Sequence, residues 1–508
     1  MLPFVDDPLF EKVRRRLGDS SDVAPIELPA VRRLIDERRF PEAVGAARAA
    51  CEASGADPAH AYWIGFATAL VGRPVQAKPW LEIALGSNPL DVRAHAALAL
   101  VSKHLGDKAA QVAHYRKAVE LQPRNPMLRA GCAEALLENG QPEDGEREAR
   151  TGLAISPGHS VCVAALARTI QAQGRGAEAI RLLEESLKSK DDRDLAWILA
   201  DVYLRAGNYL AGFKAFEIRR RPSLHREQVR DPVLSKPEWH GDALAGRQLL
   251  VVHEQGLGDT LQAMGYAWTL AARGQRISAV VPKAMLRFFG AQDFLQHVYG
   301  DGEAIPRRAY DCWCFTMSLP LLLGEDGSGP MPRKAYLAAF NDDTMRLHAS
   351  PSALKVGLCW AGSTDNPEEP LRSISLHRFA PLAEVPRLQL TSCQYGVEPS
   401  ALPGFIRPPP RAIVDLADTS ALISQFDVLI SVDTAAAHLA GAMGREVWLL
   451  ARWFGDWRWG TSGDTTYWYP TMRILRQPRA GDWDSPIARA RTMLAQRLAA
   501  KQSRSLRA

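Results

Sequence analysis

The sequence predicts a superhelix of paired α-helices followed by a two-lobed α/β unit. Three observations carry the prediction. Small residues recur every 34 positions through the first part of the chain, that spacing stops near residue 225, and short apolar runs then alternate with helical stretches.

The repeat is legible in three columns. Gly65, Ala99, Ala133 and Ala167 are 34 apart, as are Ala84, Ala118, Gly152 and Ser186, and Pro89, Pro123 and Pro157. Small residues let two antiparallel helices approach closely, and a proline closes each unit after its second helix. Neighbouring pairs bury what one pair cannot bury alone. Large residues keep step as well, in Leu81, Tyr115 and Leu183. The units run over 58–91, 92–125, 126–159 and 160–193, and the pattern resembles the tetratricopeptide repeat. A half-unit precedes them in Leu34, Phe40, Ala43 and Ala50. Another follows in Ala200, Tyr203, Gly207, Tyr209 and Phe216, after a slip of one residue at Asp191-Asp192-Arg193. Five to six repeats with atypical caps are expected. Such an array has no chemistry of its own. It serves either to hold an acceptor or partner protein or as a scaffold or dimerisation surface, and the oligomeric state is left open.

Beyond the irregular stretch Arg230-Asp231-Pro232 and Lys236–Gly241, the grammar becomes βαβ. Leu249–Val252 and Ile277–Val281 are expected strands flanking a helix through Leu261, Met264, Trp268 and Leu270. The pattern restarts with strands at Lys355–Trp360, Leu388–Thr391, Asp427–Val432 and Glu446–Leu450, with a helix over Asp433–Gly444. The expected domains are an N-terminal extension (1–30), the repeat array (31–225), a linker with a first lobe (226–350), and a second lobe with a C-terminal helix (351–508).

Composition limits the function classes. The 508 residues are 46% hydrophobic and 23% charged, which fits folded matter, and a net charge of +5 with no basic block gives no reason to expect a nucleic-acid partner. Seven scattered cysteines are unlike a secreted disulfide framework, and Cys312-Trp313-Cys314 reads as a strand with two inward thiols rather than a metal site. Asp6, Asp7 and Glu11 do not suit a signal peptide, and no run of 18 apolar residues suggests a membrane span. A cytoplasmic protein is expected.

Four places could carry chemistry. Gln255-Gly256-Leu257-Gly258-Asp259 joins a strand to a helix; Asp259 is either a cap for free amides or a catalytic carboxylate that takes a hydroxyl proton. Asp433-Thr434 opens a helix after a buried strand, a place where amides and the helix dipole favour a diphosphate, with Thr434 a further hydroxyl donor. His438 follows on the same face, as a ligand-facing or a core histidine. Arg372-Ser373 follows a polar loop and could neutralise a diphosphate leaving group. Six tryptophans crowd 448–483, among them Trp457 and Trp459, which suits either sugar or base stacking or core packing.

These motifs together resemble a glycosyltransferase of the two-lobed GT-B fold, close to the bacterial lipopolysaccharide heptosyltransferases. The likeness covers roughly 240–485 and is carried by Gly258-Asp259, Val356–Gly362 with Arg372-Ser373, Asp415–Thr419, Ser431–Gly441, Asp456–Trp459 and Tyr469-Pro470. The resemblance implies a nucleotide-sugar donor, its base unassigned, in the C-terminal lobe and an acceptor on the N-terminal lobe. Asp259 would be the catalytic base and Arg372, Ser373, Asp433, Thr434 and His438 would bind the donor; Gln255, Gly256, Gly258, Trp457 and Trp459 are candidates for the cleft or the acceptor. No metal or other cofactor is expected. Repeats fused to such a unit are similar to enzymes that glycosylate serine and threonine of proteins, one type acting on flagellin before export. A CMP-linked nonulosonic acid is one donor this allows, beside hexosamine and heptose donors. The alternatives are a glycan or lipid glycosyltransferase whose repeats dock it to other proteins, and an inactive binding scaffold.

Overall fold

The computed structural model describes residues 7–17, 26–221, 229, 232–329, 331–350, 352–363 and 369–505. Arg230-Asp231 of the expected linker and residues 364–368 of the polar loop lie outside them. The chain divides into two compact units, Met1–Leu182 and Leu183–Ala508.

The first unit is a succession of antiparallel helices. They are α1 (Pro8–Leu17), α2 (Pro29–Asp36), α3 (Phe40–Ala53), α4 (Ala61–Leu70), α5 (Pro74–Ser87), α6 (Val92–His104), α7 (Lys108–Leu121), α8 (Pro126–Glu138), α9 (Pro142–Ile155) and α10 (Ser160–Ala172), followed by the start of α11 (Gly176–Ser189). From α6 to α11 the helices alternate between 13 and 14 residues, the two halves of one 34-residue unit. The small columns do what their size allows. Ala99, Ala133 and Ala167 are fully buried. A Cβ on Gly65 would stand 2.7 Å from Leu81, and one on Gly152 2.6 Å from Cys162 Sγ. One column escaped the sequence reading. Gly72, Gly106, Gly140 and Gly174 each end the first helix of a pair with φ between 75° and 80°. That is the left-handed stop at which glycine is least strained. Gly207 (φ 78°) follows after 33 residues, the one-residue slip read at Asp191–Arg193.

The second unit begins within α11 and holds α12 (Arg193–Arg205) and α13 (Tyr209–Phe216), so the expected array of 31–225 spans the division. Two fully parallel sheets follow. The first contains β1 (Gln248–Val252), β2 (Arg276–Val281), β3 (Val298–Gly300) and β4 (Cys312–Phe315), in the order β3-β2-β1-β4. The second contains β5 (Leu354–Cys359), β6 (Leu388–Ser392), β7 (Val428–Val432), β8 (Val447–Ala451) and β9 (Met472–Arg476), in the order β6-β5-β7-β8-β9. β1, β4, β7 and β8 are buried along their whole length, as strands covered on both faces must be. The remaining α-helices described in this unit are α14 (Leu257–Ala272), α15 (Leu286–Phe289), α16 (Leu319–Leu322), α17 (Glu369–Arg372), α18 (Leu416–Ile423), α19 (Ala435–Ala442) and α20 (Asp484–Ser505). α14, from the first sheet, and α19, from the second, pack directly on each other. Their contact belongs to one apolar core that includes Leu249 and Val251 of β1 and Leu429 of β7.

Candidate functional site

In an open parallel sheet, ligands sit at the carboxyl ends of the strands where the winding reverses. Here the reversals fall between β1 and β4 and between β5 and β7. The first position is filled by the protein itself. Arg219, whose side chain is 1% exposed, donates to both oxygens of Glu254 at 2.9 Å and to Ser318 Oγ at 2.8 Å, while Glu254 also accepts from the Met317 amide. The pair is complete: an unpartnered buried charge would be strongly destabilising, whereas this one has a bidentate partner. At the second position, Gln394 accepts from the Trp360 and Ala361 amides and pins the loop after β5.

Around β7 and β1 two helix N-termini meet. α19 follows Val432 after two residues and has Thr434 as its N-cap, whose side chain makes no capping bond. α14 starts after Gly256. A Cβ on Gly258 would lie 2.8 Å from His438 Cδ2, so the glycine is what lets the α14 loop close over the imidazole.

Asp259 occupies the third position of α14. Its Oδ2 accepts the Gly256 N–H at 3.1 Å, and its Oδ1 accepts Arg458 Nη2 at 2.5 Å. The cap and the chemical reading of Asp259 are therefore compatible: one oxygen closes the helix start and the other faces a buried guanidinium. Burial raises the Asp259 pKa and Arg458 opposes the rise. Arg458 comes from a 3₁₀ turn, Trp457–Trp459, capped by Asp456. It also donates from Nε to Gln262 Oε1 at 2.5 Å and from Nη1 to Asp456 Oδ1 at 3.0 Å, and lies 4.2 Å from the Trp457 ring centre. Burial pushes the Asp456 carboxyl upward, but Arg458 more than offsets that and its pKa is lowered.

Asp433 lies on the same wall, its side chain one-quarter exposed. Burial, then repulsion from Asp456, raises its pKa to about 6. His438 Nδ1 pairs with the Tyr469 hydroxyl at 2.9 Å, and Nε2 is 3.8 Å from Asp433 Oδ1. Burial and then Arg458 lower the His438 pKa to about 3, so the imidazole is neutral at ordinary pH. Thr434 Oγ1 is 2.9 Å from Ser431 Oγ, which donates to the Val432 carbonyl. The Thr434 proton is therefore directed at Ser431, and the amides of α19 are the donors left for an anion. Arg372 is held by Glu369 at 2.5 Å and acts electrostatically on both Asp433 and His438.

The structure thus brings together Gly256, Gly258, Asp259, Asp433, Thr434 and His438, with Arg372 within electrostatic reach. Three assignments need correction. Ser373 turns its hydroxyl onto Glu369, which already accepts the Gly362 amide, and so shapes the loop. Trp457 and Trp459 are 7% and 1% exposed, and Trp457 packs edge-on against Phe213 and Trp468; they are core, not stacking platforms. Gln255 is half-buried on the same loop as Asp259. Four residues to which the sequence reading gave no role belong to the site: Asp456, Arg458 and Tyr469, named there only among the motifs that carry the resemblance, and Gln262, for which the sequence held no signal. Among the described residues no cluster suited to a metal ion occurs.

Comparison with known proteins bears on the helices first. A tetratricopeptide-repeat family model matches residues 71–126 and 164–224, coinciding with the 34-residue helix pairs. The helical array is made of tetratricopeptide repeats. The chain is also similar to Protein FlbA of Caulobacter vibrioides, with 24% identity over 460 residues, 84% of this chain and 70% of that protein. Among solved structures it is similar to a tetratricopeptide-repeat protein of Thermus thermophilus, at 20% identity over 35% of this chain and 97% of that one, with a TM-score of 0.31. Pseudomonas aeruginosa pilF matches at 23% identity over 32% of this chain and 75% of its own, with a TM-score of 0.28. Tetratricopeptide repeats form concave surfaces of the kind that suit protein–protein interaction. Among the described residues, no helix is long and apolar enough to cross a membrane.

Proposed function

We propose that the α/β unit is a GT-B-type glycosyltransferase, and that the repeats present a protein whose serine or threonine hydroxyl receives the sugar. The observation that carries this reading is the meeting of two helix N-termini over one group of ionisable side chains, Asp259 from α14 and Asp433 and His438 beside α19. The leading amides of α19, its dipole and Arg372 suit the phosphates of a nucleotide-sugar donor. Asp259, with its raised pKa, suits a general base. As the acceptor oxygen bonds to the anomeric carbon, the bond from that carbon to the phosphate oxygen breaks. The acceptor proton passes to Asp259, and the α19 amides and Arg372 take the charge that develops on the departing nucleotide. Flagellin is the acceptor suggested by the resemblance, with the reaction in the cytoplasm.

The test is Asp259→Asn in the full chain. Turnover should fall by about a thousandfold, within the usual range for loss of a general base. Nucleotide affinity, measured calorimetrically with CMP, CDP, UDP, GDP and ADP, should be retained. Unchanged turnover would remove Asp259 from the chemistry, and no binding of any nucleotide would remove the transferase reading altogether.

A further inference from the structure

Arg458 is the most fully engaged side chain of this site. It is 8% exposed, yet it touches Asp259, Asp456 and Gln262 at 2.5, 3.0 and 2.5 Å. Two of these partners, Asp259 and Gln262, lie on successive turns of α14, while Asp456 belongs to Arg458's own turn. The guanidinium therefore joins α14 to the 456–459 turn through the carboxylate that the proposed reaction would use.

That turn is itself supported by α12 and α13. Arg205, at the end of α12, donates to the Gly455 carbonyl and stacks over Phe454 with its guanidinium carbon 4.6 Å from the ring centre. Tyr209 and Phe213 of α13 lie 6.4 and 5.7 Å from the Trp457 ring, and Phe213 meets it edge-on. Arg458 is thus carried on a short turn that α12 and α13 also contact, and it reaches the Asp259 carboxylate. A flexible surface arginine could exchange partners freely; this one has a planar fork filled by three fixed acceptors.

We infer that Arg458 is a positioning residue for Asp259: it fixes which way the carboxylate faces and gives it an ion-pair partner, with Asp456 competing for the same guanidinium. The role rests on the transferase reading only for the use to which Asp259 is put; the coupling itself belongs to the free protein. The other groups facing Asp259 are Asp456 on the turn, Asp433, His438 and Tyr469 around α19, Gln262 on its own helix, and Arg372 farther off. Of the cations among the described residues, only Arg458 contacts the carboxylate.

The experiment is a pH titration of the Asp259 carboxyl carbon by NMR in the full chain labelled with ¹³C-aspartate, its signal identified by loss in Asp259→Asn. In Arg458→Met the midpoint should rise by a unit or more, and Arg458→Lys should restore part of the shift. In Asp456→Asn the midpoint should fall, because the competing acceptor and a like charge are both removed. Shifts of opposite sign from two residues of one turn are not what general loosening gives. The Asp456→Asn arm also decides the matter should Arg458→Met fail to fold. Midpoints that do not move, or that move the same way in both, would overturn the inference. A parallel assay follows nucleotide release from nucleotide sugars, and the acidic limb of its pH profile should move with each midpoint. If the wild-type chain releases nothing, the transferase reading fails while the titration still decides the role of Arg458.

Discussion

Gly258 and His438 touch across the junction of α14 and α19 so closely that a single added methyl would sit 2.8 Å from the imidazole. The ring cannot swing aside cheaply, because it is buried, bonded to Tyr469, and 5.2 Å from the Trp459 ring centre. Gly258→Ala should therefore move the loop rather than the histidine. We expect a loss of about 1–3 kcal/mol in stability, the usual range for overpacking, and at least a tenfold loss of nucleotide affinity. Denaturant unfolding and calorimetry check the two figures separately.

Asp433 gives a pH signature whose sign follows from its burial. Its pKa is near 6 in the folded chain against about 3.9 when unfolded, so the folded state favours the protonated acid. Stability from this group is fully present below the unfolded value and is lost as pH rises through 6. Asp433→Asn should be more stable than wild type at pH 8, by about 1–2 kcal/mol after allowance for partial exposure and coupling to Asp456. The gap should close below about pH 4. The same logic makes nucleotide binding to the wild type tighten as pH falls towards 5, a trend that calorimetry of Asp433→Asn should flatten.

The junction between helices and sheets can be tested by cutting the chain. A fragment starting at residue 183 keeps α12 and α13, and with them Arg205, Tyr209, Phe213 and Arg219. One starting at 226 loses all four, leaving Glu254 buried without its cation and Trp457 without its cover. The longer fragment should unfold in one cooperative transition and bind nucleotide. The shorter should be insoluble or should unfold with a broad, weak transition in calorimetry.

Two glycines in the helical unit should answer oppositely to alanine. Gly140 has φ 77° after α8, and Gly140→Ala should cost about 1 kcal/mol from left-handed strain. Gly45 lies inside α3 with nothing within 4 Å of a built Cβ, and Gly45→Ala should gain about 0.5–1 kcal/mol. Paired thermal melts of the full chain decide both.

The repeat units were legible because each depends on spacing alone: the columns through Gly65 and Ala84 mark where two helices must touch, and helices α4 to α11 follow them closely. Strands β1, β2 and β5 to β8 showed as apolar runs. β3 is only three residues long and β9 carries arginines at its second and last positions, so neither stood out. Of the site, the positions tied to a strand–helix junction could be read from local grammar, as with Asp259 and Thr434. Arg458 could not. Its meaning lies in meeting Asp259 across 199 residues of chain, a relationship that no local pattern encodes. The tryptophans left both core packing and stacking open for a related reason, since aromatic density looks alike whether rings face a ligand or one another.

The Arg219–Glu254 pair also has a consequence for biosynthesis. Arg219 leaves the ribosome 35 residues ahead of Glu254 and 99 ahead of Ser318. At translation speeds of roughly 5–20 residues per second, Arg219 waits about 2–7 s for Glu254. The growing chain thus presents a cation before the carboxylate it must enclose, and β1 is synthesised only after α12, α13 and the turn behind them. The helices made first would act as a template on which the first sheet is laid, so faults in α13 should show themselves as misfolded sheet rather than as frayed helix.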